Sequence, residues 1–152
     1  MNKYRHFFGL FLIFLTGLLL YSCKSKPVDP IEEYRNSLTT ADTTIVLSMA
    51  QECMGFLKSG DFDLFVSNLS TVDSTGVVST LSTEKVKRLQ RNFAIFNVSD
   101  FVLSDFIFDT PQSNPITFKV QFGYDEATGT PMYTKFALNA VKTDSKWIIS
   151  VK

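Results

Sequence analysis

The stretch that decides the fold is residues 116–124, which read ITFKVQFGY. Apolar or aromatic side chains occupy every second position from Ile116 to Tyr124, and threonine, lysine, glutamine and glycine stand between them. Successive side chains of a strand point to opposite faces of a sheet, so one face of this segment is apolar and the other is polar. The alternation therefore predicts an antiparallel strand with one buried face.

Further strands are predicted around this one. Residues 132–140, MYTKFALNA, repeat the alternation after a turn that contains glycine and proline. Residues 147–151, WIISV, predict a last strand, and residues 101–109 predict a strand whose faces the pattern does not assign. Short connections between these segments indicate an antiparallel meander. A short strand is also predicted at Val77-Val78.

The segments before the meander have helical spacing. Asp42 is a suitable N-cap for a helix through Lys58, and Gly60 ends that helix. Asp61 can cap a second, shorter helix, and Ser82 opens a third helix with one apolar face. The apolar positions of the second helix are Phe62, Phe65, Val66 and Leu69.

Helices followed by an antiparallel meander place the chain in the α+β class. Two helices joined at Lys58-Ser59-Gly60-Asp61, a short strand, a third helix and four strands ending in residues 146–151, KWIISV, form a distinctive order. This order resembles the cystatin-like cone of the nuclear-transport-factor-2-like superfamily, from about Asp42 to Lys152. The resemblance implies N-terminal helices packed on a curved antiparallel sheet. The superfamily includes enzymes, binding modules and protein-association domains, so the resemblance does not decide the function.

The first 22 residues have the layout of a secretory signal peptide. Lys3, Arg5 and His6 precede a continuous apolar run over residues 7–20. As a helix this run is about 21 Å long, which is shorter than the roughly 30 Å hydrocarbon core of a bilayer. We therefore expect the segment to be cleaved off and not to be retained as a transmembrane helix. Leu20-Tyr21-Ser22-Cys23 resembles the lipobox of bacterial lipoproteins. That resemblance implies cleavage before Cys23 and attachment of lipid to its thiol.

These features divide the chain into three parts. Residues 1–22 are the predicted signal peptide, residues 23–40 are the lipidated cysteine and a tether, and residues 41–152 are a single cystatin-like α+β domain. An alternative for the tether is that part of it docks as a helical turn. This alternative is based on the spacing of Ile31, Tyr34 and Leu38.

The anchor and the residues after it predict the location. Two or three acyl chains hold a protein durably on a membrane, because each buried methylene contributes roughly 0.8 kcal/mol. Lys24-Ser25-Lys26-Pro27 lacks the acidic cluster that accompanies surface display in some lipoproteins that this one resembles. We therefore expect a lipid-anchored protein of the cell envelope, on the outer membrane and facing the periplasm.

Composition argues against several kinds of chemistry. Removal of Lys3 and Arg5 with the signal peptide leaves 13 of 15 basic side chains against 15 acidic ones, so a nucleic-acid partner is not expected. His6, the single histidine, is removed as well, which excludes histidine metal sites and Ser-His-Asp triads. No metal and no cofactor is predicted. Cys53 lies in the apolar pattern of the first helix and is expected to be an inert, buried thiol.

Two charged patterns have structural explanations that we favour. Asp61 and Asp63 stand at a helix start, where aspartate satisfies unpaired amides. The third helix carries four basic residues, which we interpret as a solvated face, with anionic headgroups or a protein partner as the alternative. These residues are Lys85, Lys87, Arg88 and Arg91.

Asp105 is the acid of most interest, because it lies among aromatic and aliphatic residues of a predicted strand. Members of the superfamily that isomerise or dehydrate small molecules use a carboxylate, a tyrosine or a histidine that projects into the apolar cone. A carboxylate in such a place has a raised pKa through desolvation, as an acid or base catalyst requires. The hypothetical pocket is lined by Asp105, Phe122, Tyr124, Tyr133 and Phe136. We expect Phe118 in the filled core and Phe122 nearer the mouth of the cone.

The favoured function is a membrane-anchored, non-catalytic module that binds a small ligand or an envelope protein. No catalytic residue is assigned in this interpretation. The alternative is a small-molecule isomerase or hydratase-like enzyme that uses Asp105 inside the cone. A homodimer formed through the outer face of the sheet is a third interpretation. An Asp105 that points into a hollow cone favours the enzyme, whereas a filled cone or an outward Asp105 favours the module.

Overall fold

A computed structural model describes residues 28–73, 75–95, 97–144 and 146–151. The predicted signal peptide and Cys23 lie outside these residues. The described residues form four helices and six strands. The helices are α1 Pro30–Asn36, α2 Thr40–Ser59, α3 Phe62–Ser67 and α4 Thr83–Ile95; the strands are β1 Leu69–Val72, β2 Val78–Thr80, β3 Asp100–Phe106, β4 Asn114–Tyr124, β5 Pro131–Lys142 and β6 Trp147–Ser150.

The strands form one curved sheet in the order β2-β1-β6-β5-β4-β3. Strands β3 to β6 make the predicted antiparallel meander, and the helices pack on one face of the sheet, so the α+β class is confirmed. Strand β1 was not predicted. It runs parallel to β6, with Leu69 opposite Ile149, and antiparallel to β2.

The assignment of Leu69 to the second helix is wrong. Helix α3 ends at Ser67 with Asn68 as its C-cap, and Leu69 is the first residue of β1. Pairing with β6 supplies the backbone hydrogen bonds of this segment, and Leu69 is buried in the core. Tertiary pairing has therefore overridden a helical spacing of only four residues.

The start of the first predicted helix needs a similar correction. The N-cap of α2 is Thr39, not Asp42. The Thr39 hydroxyl accepts the Asp42 N–H at 3.3 Å, and the Asp42 carboxylate accepts the Thr39 N–H at 2.8 Å, which is a capping box. Gly60 ends α2 as predicted, in the left-handed conformation with φ 79°. Asp61 caps α3 as predicted, since its side chain accepts the Leu64 N–H at 3.0 Å.

The core lies between the helices and the inner face of the sheet. Phe65 of α3, Met54 of α2 and both Ile116 and Phe118 of β4 have no exposed surface. Phe118 packs edge-to-face against Phe101 of β3, with ring centres 5.7 Å apart. Burial of each such side chain stabilises the fold by about 1.5–3 kcal/mol. The position of Phe118 agrees with the expectation of a filled core.

Part of the expected tether is helix α1, which docks on the domain. Tyr34 of this helix is 9% exposed and belongs to the core, and its hydroxyl donates to Asn114 Oδ1 at 3.1 Å. Arg35 donates from Nε to the Phe108 carbonyl at 3.0 Å and lies 3.5 Å from an Asp109 carboxylate oxygen. The structure thus shows the docked alternative for the residues around Tyr34.

Asn114 is the centre of a buried polar network at this end of the sheet. It has no exposed surface, and its amide donates to the Ala140 carbonyl at 2.9 Å. Its Oδ1 also accepts the Asp109 N–H at 3.0 Å, and its own N–H donates to Asn139 Oδ1 at 2.8 Å. Asn139 in turn contacts Ser150 of β6. The network joins α1 to the middle of the sheet without an unpaired buried side-chain polar atom among the described residues.

Candidate functional site

Asp105 lies on the outer face of the sheet. It is paired with Thr117 of β4, whose neighbours Ile116 and Phe118 point into the core, so Thr117 and Asp105 share the opposite face. Ser104 is the extra residue of a bulge in β3, and this bulge sets the side on which Asp105 emerges. The carboxylate is exposed and accepts the N–H of the next residue at 2.9 Å. It does not face the interior where the isomerase hypothesis needs it.

The two tyrosines of the hypothetical pocket are also exposed. Tyr124 ends β4 and is 59% exposed. Tyr133 is 46% exposed and pairs with Gln121 on the outer face, where the Lys119 ammonium lies 3.9 Å from the centre of its ring. The structure therefore does not bring these phenols and Asp105 together inside the cone. A homodimer through this outer face stays a prediction.

The interior of the cone is filled by phenylalanine rings. Phe136 of β5 packs against Phe93 of α4 and Phe65 of α3, with ring centres 5.2 and 6.2 Å apart. Phe93 and Phe65 also contact each other at 5.6 Å. Phe122, the other predicted pocket residue, is half-buried near the end of β4. Two of the five predicted pocket residues are thus partly enclosed, and aromatic rings occupy the space between Phe136 and the helices α3 and α4.

A cleft opens beside this aromatic cluster, where the C-terminal end of α2 and the start of α3 face α4. Its volume is about 240 Å³, which is slightly below the range of typical small-molecule pockets, roughly 300–1,000 Å³. The described residues that line it are apolar or carry neutral amides. They are Leu57, Gly60, Phe62, Gln90, Phe93, Ala94, Asn97 and Val98.

The local sequence explains why a cleft forms here. Gly60 takes a left-handed conformation that side chains other than glycine adopt with strain, so α2 stops abruptly. The Asp61 N–H then donates back to the Phe56 carbonyl at 2.9 Å, and α3 begins at once in a new direction. Phe62 is thereby turned onto Phe65, with ring centres 6.0 Å apart. The bend leaves a gap between the two helices and α4.

Helix α4 carries the four basic residues noted in the sequence and Glu84 as its single acid. Lys85 with Arg88, Lys87 with Arg91 and Arg88 with Arg91 are three or four residues apart, so like charges are neighbours on the helix surface. Such pairs destabilise a helix by about 0.2–0.5 kcal/mol each, and the opposite-charge pairs of Glu84 with Lys87 and Arg88 offset only part of this. In the described part of the chain none of these cations forms an ion pair. The basic surface is therefore not explained by the stability of α4.

This basic surface adjoins the cleft. A second, shallower depression is lined by Lys87, Arg91 and Glu84, and it shares Gln90 and Ala94 with the cleft. Gln90, Ala94 and Arg91 lie within one turn of the helix, which places the Arg91 side chain at the rim of the cleft. The arrangement combines an apolar floor with a positively charged edge.

An acidic surface also adjoins the cleft. Asp61 and Asp63 stand at the start of α3, beside Phe62, in a shallow surface that also includes Gln90. Asp61 is engaged as a helix cap, as the sequence predicted. Basic side chains of α4 and acidic side chains of α3 therefore both border the cleft.

Cys53 is buried on α2, with 2% of its surface exposed. Burial, and in second place the charge of Glu52, raises the pKa of the Cys53 thiol to about 11. Thiolate is the reactive form of cysteine, so this environment disfavours a redox or nucleophilic role.

Asp42 belongs to a polar cluster at the other end of the domain. Its Oδ1 accepts hydrogen bonds from Trp147 Nε1 at 2.8 Å and from Lys142 Nζ at 3.1 Å. The hydrogen bond from Trp147 and those from Thr39 hold the pKa of the Asp42 carboxyl well below its usual range. These contacts fasten the hairpin of β5 and β6 to the start of α2, which is a structural role.

No cluster of three or more acidic, histidine or cysteine side chains that could hold a metal ion occurs within the described residues. Across the same ranges, no helix has the length and apolar character needed to cross a membrane.

Sequence reasoning missed the cleft because its residues come from three separate segments. Gln90 belongs to α4 and Asn97 follows the end of that helix, and both line the cleft together with Phe93. The sequence signal that could have indicated the cleft was the pair of amide side chains, Gln90 and Asn97, on either side of the apolar residue Phe93. The position of α2 and α3 opposite them could not be read from the chain.

Comparisons with known proteins find solved structures of similar shape, and one of them is named for its fold. It is an NTF-2-like protein of unknown function from Shewanella oneidensis MR-1, with 12% sequence identity and a TM-score of 0.48. The alignment covers 70% of this chain and 93% of that chain. No protein-family model matches the chain, and no curated protein is significantly similar to it.

Proposed function

We propose that this protein is an envelope lipoprotein, anchored through lipid on Cys23, whose domain binds a ligand in the cleft without catalysing a reaction. The observation that carries the proposal is the lining of the cleft. Phe62, Phe93 and Val98 offer apolar surface, and Gln90 and Asn97 offer neutral hydrogen-bonding groups. Such a surface can bind and orient a molecule, but its described residues supply no acid or base for proton transfer.

The location of Asp105 supports binding over the isomerase alternative. Its carboxylate is exposed on the outer face, and the interior beside Phe136 is filled by aromatic rings. A substrate in the cleft on the helix side is therefore separated from this acid by the sheet.

The position of the cleft also suits a tethered domain. Helix α1 docks near Asn114, at the end of the domain where α2 begins, and the cleft lies where α2 ends. A helix of 20 residues is about 30 Å long. The cleft is thus separated from the anchored end by the length of α2, and ligands or partners in the periplasm can reach it.

Blocking the cleft tests the binding proposal. Ala94 lines the cleft and is exposed, so Ala94→Trp fills it without disturbing the core. The probe is the neutral apolar dye Nile red, with fluorescence titration of the chain from residue 24 onward. We expect saturable binding that Ala94→Trp weakens about tenfold, equivalent to 1.4 kcal/mol.

Ala41→Trp is the matched control. Ala41 is also exposed and helical, but it lies in the first turn of α2 and does not line the cleft. Equal dye binding by Ala94→Trp and the unchanged protein would contradict the proposed site.

The anchor has its own test. Cys23→Ala removes the thiol that takes the lipid, so we expect loss of labelling by a fatty-acid analogue in growing cells and an unprocessed or soluble protein. Label that persists on Cys23→Ala would contradict the anchor. Protease treatment of intact cells tests the orientation, because digestion of the domain would place it on the cell surface and not in the periplasm.

A further inference from the structure

The cleft and the basic depression beside it form one continuous surface with two different characters. Gln90 and Ala94 line both parts. Arg91 is three residues before Ala94, and side chains at this spacing have Cβ atoms about 5–6 Å apart on a helix. A molecule that covers Phe93 and passes Ala94 therefore comes within reach of the Arg91 guanidinium.

The cations at this edge are available to a ligand. Among the described residues, Arg35, Lys58 and Lys142 form ion pairs with acidic side chains. Lys87 and Arg91 form no ion pair in this part of the chain. The chain as a whole has equal numbers of acidic and basic side chains, so the excess of three positive charges on α4 is local. A guanidinium presents paired N–H donors that match the two oxygens of a carboxylate or phosphate.

The acidic surface sets the orientation of such a ligand. Asp61 and Asp63 stand at the start of α3, whereas Lys87 and Arg91 stand on α4. The two aspartates repel an anionic group near α3, and Lys87 and Arg91 attract it near α4. An anion in the cleft is thereby directed towards α4.

We propose that the cleft binds an anionic amphiphile, with its apolar chain against Phe62, Phe93 and Val98 and its carboxylate or phosphate at Arg91 and Lys87. This inference rests on the proposed binding function and names the class of ligand. The volume of about 240 Å³ limits the apolar part to a short or partly inserted chain. The neutral amide of Gln90, which lines both parts of the surface, lies between the two ends of the ligand.

Photolabelling of the full chain in phosphatidylcholine vesicles tests the inference. Three photoreactive probes share one alkyl chain: an analogue of octanoic acid, the corresponding octyl phosphate and the neutral methyl ester of the acid. Mass spectrometry of digested protein measures the labelled fraction of the peptides that line the cleft. We expect both anionic probes to label these peptides more than the ester. Preference for the acid indicates a fatty acid as the natural ligand, and preference for the phosphate indicates a phospholipid; both support the inference.

Variants of the basic residues separate the contribution of their charge from that of the apolar cleft. Lys87→Gln with Arg91→Gln should lower labelling by the anionic probes about tenfold and leave labelling by the ester unchanged. Arg88→Gln is the control, since Arg88 is an exposed cation of the same helix that lines neither depression. Circular dichroism of each variant checks that α4 is intact.

Two results would refute the anionic ligand, and a third would refute the binding site itself. If the ester labels the cleft as strongly as the anionic probes, or if Arg88→Gln acts like the double variant, the anionic ligand is refuted while binding in the cleft stands. If Ala94→Trp leaves labelling by all three probes unchanged, the binding site itself is refuted.

Discussion

Asn114 provides the sharpest test of how the domain is held together. Replacement by alanine removes three hydrogen bonds of a side chain that has no exposed surface. The Tyr34 hydroxyl, the Asp109 N–H and the Ala140 carbonyl lose their partner. Each buried group left without one costs about 1–3 kcal/mol, and the partial exposure of Asp109 favours the lower part of that range.

We therefore expect Asn114→Ala to lower the free energy of unfolding by roughly 3–5 kcal/mol, a large part of the 5–15 kcal/mol typical of a domain. Tyr34→Phe removes one hydrogen bond and leaves Asn114 Oδ1 bonded to the Asp109 N–H, so its loss should be about 1 kcal/mol. In the double variant the Tyr34 hydroxyl is absent and cannot be left without a partner. The loss of unfolding free energy should therefore be about 1 kcal/mol smaller than the sum of the losses of the two single variants.

Urea unfolding of the chain from residue 24 onward, followed by tryptophan fluorescence, measures these values. Asn92→Ala is the matched control, because Asn92 is exposed on α4 and its replacement should change stability by less than about 0.5 kcal/mol. A loss of under about 1 kcal/mol for Asn114→Ala, or strict additivity with Tyr34→Phe, would refute the idea that this network joins α1 to the sheet.

Three further predictions concern the core, the thiol and the start of α2. Phe118→Ala should cost about 3–5 kcal/mol in urea unfolding and Phe122→Ala clearly less, because only Phe118 is fully buried; equal losses would contradict this. Cys53 should react slowly with a thiol reagent in the native protein and quickly in urea, since burial raises its pKa to about 11; fast native labelling would contradict the buried assignment. The lowered pKa of Asp42 means that its carboxylate stabilises the folded state above the ordinary carboxyl pKa of about 3.9, and that this contribution is lost as the pH falls towards the folded value. The stability difference between the unchanged protein and Asp42→Asn should therefore be largest near neutral pH and shrink in acid, and a difference that grows in acid would show that the linkage has the opposite sign.

The strands of the meander were predictable because each has one buried face. In residues 116–124 a shift by one position would expose Phe118 and bury Lys119, so the alternation and the burial must agree. The glycine at position 60 was equally informative, since it takes the left-handed conformation that ends a helix. These signals depend only on residues that are neighbours in the chain, so a single sequence is enough to recognise them.

Features that depend on distant partners were not predictable. Strand β1 has four residues and no alternation, and it is a strand because β6 pairs with it. The bulge at Ser104 determines on which face of the sheet the Asp105 side chain lies, and no pattern in the sequence indicates this bulge. Asn114 precedes a proline and looks like an ordinary turn residue, although Tyr34 and Asp109 make it the centre of a buried network. The candidate cleft belongs to the same group, because it exists only where three segments meet.

The place of β6 in the sheet has a consequence for the order of folding. β6 is the last strand in chain order, yet it lies in the middle of the sheet, between β1 and β5. Until it is available, β1 with β2 and β3 with β4 and β5 are two separate pieces with open edges. Trp147 of β6 also donates a hydrogen bond to the carboxylate of Asp42, which lies 105 residues earlier in the chain.

Pairings of such long range are formed slowly, because loop closure must precede the gain from contact. A chain still emerging from the ribosome therefore cannot complete this sheet before β6 has been synthesised. Until then the edges of the two pieces are unpaired, and unpaired strand edges make an incomplete chain prone to aggregation.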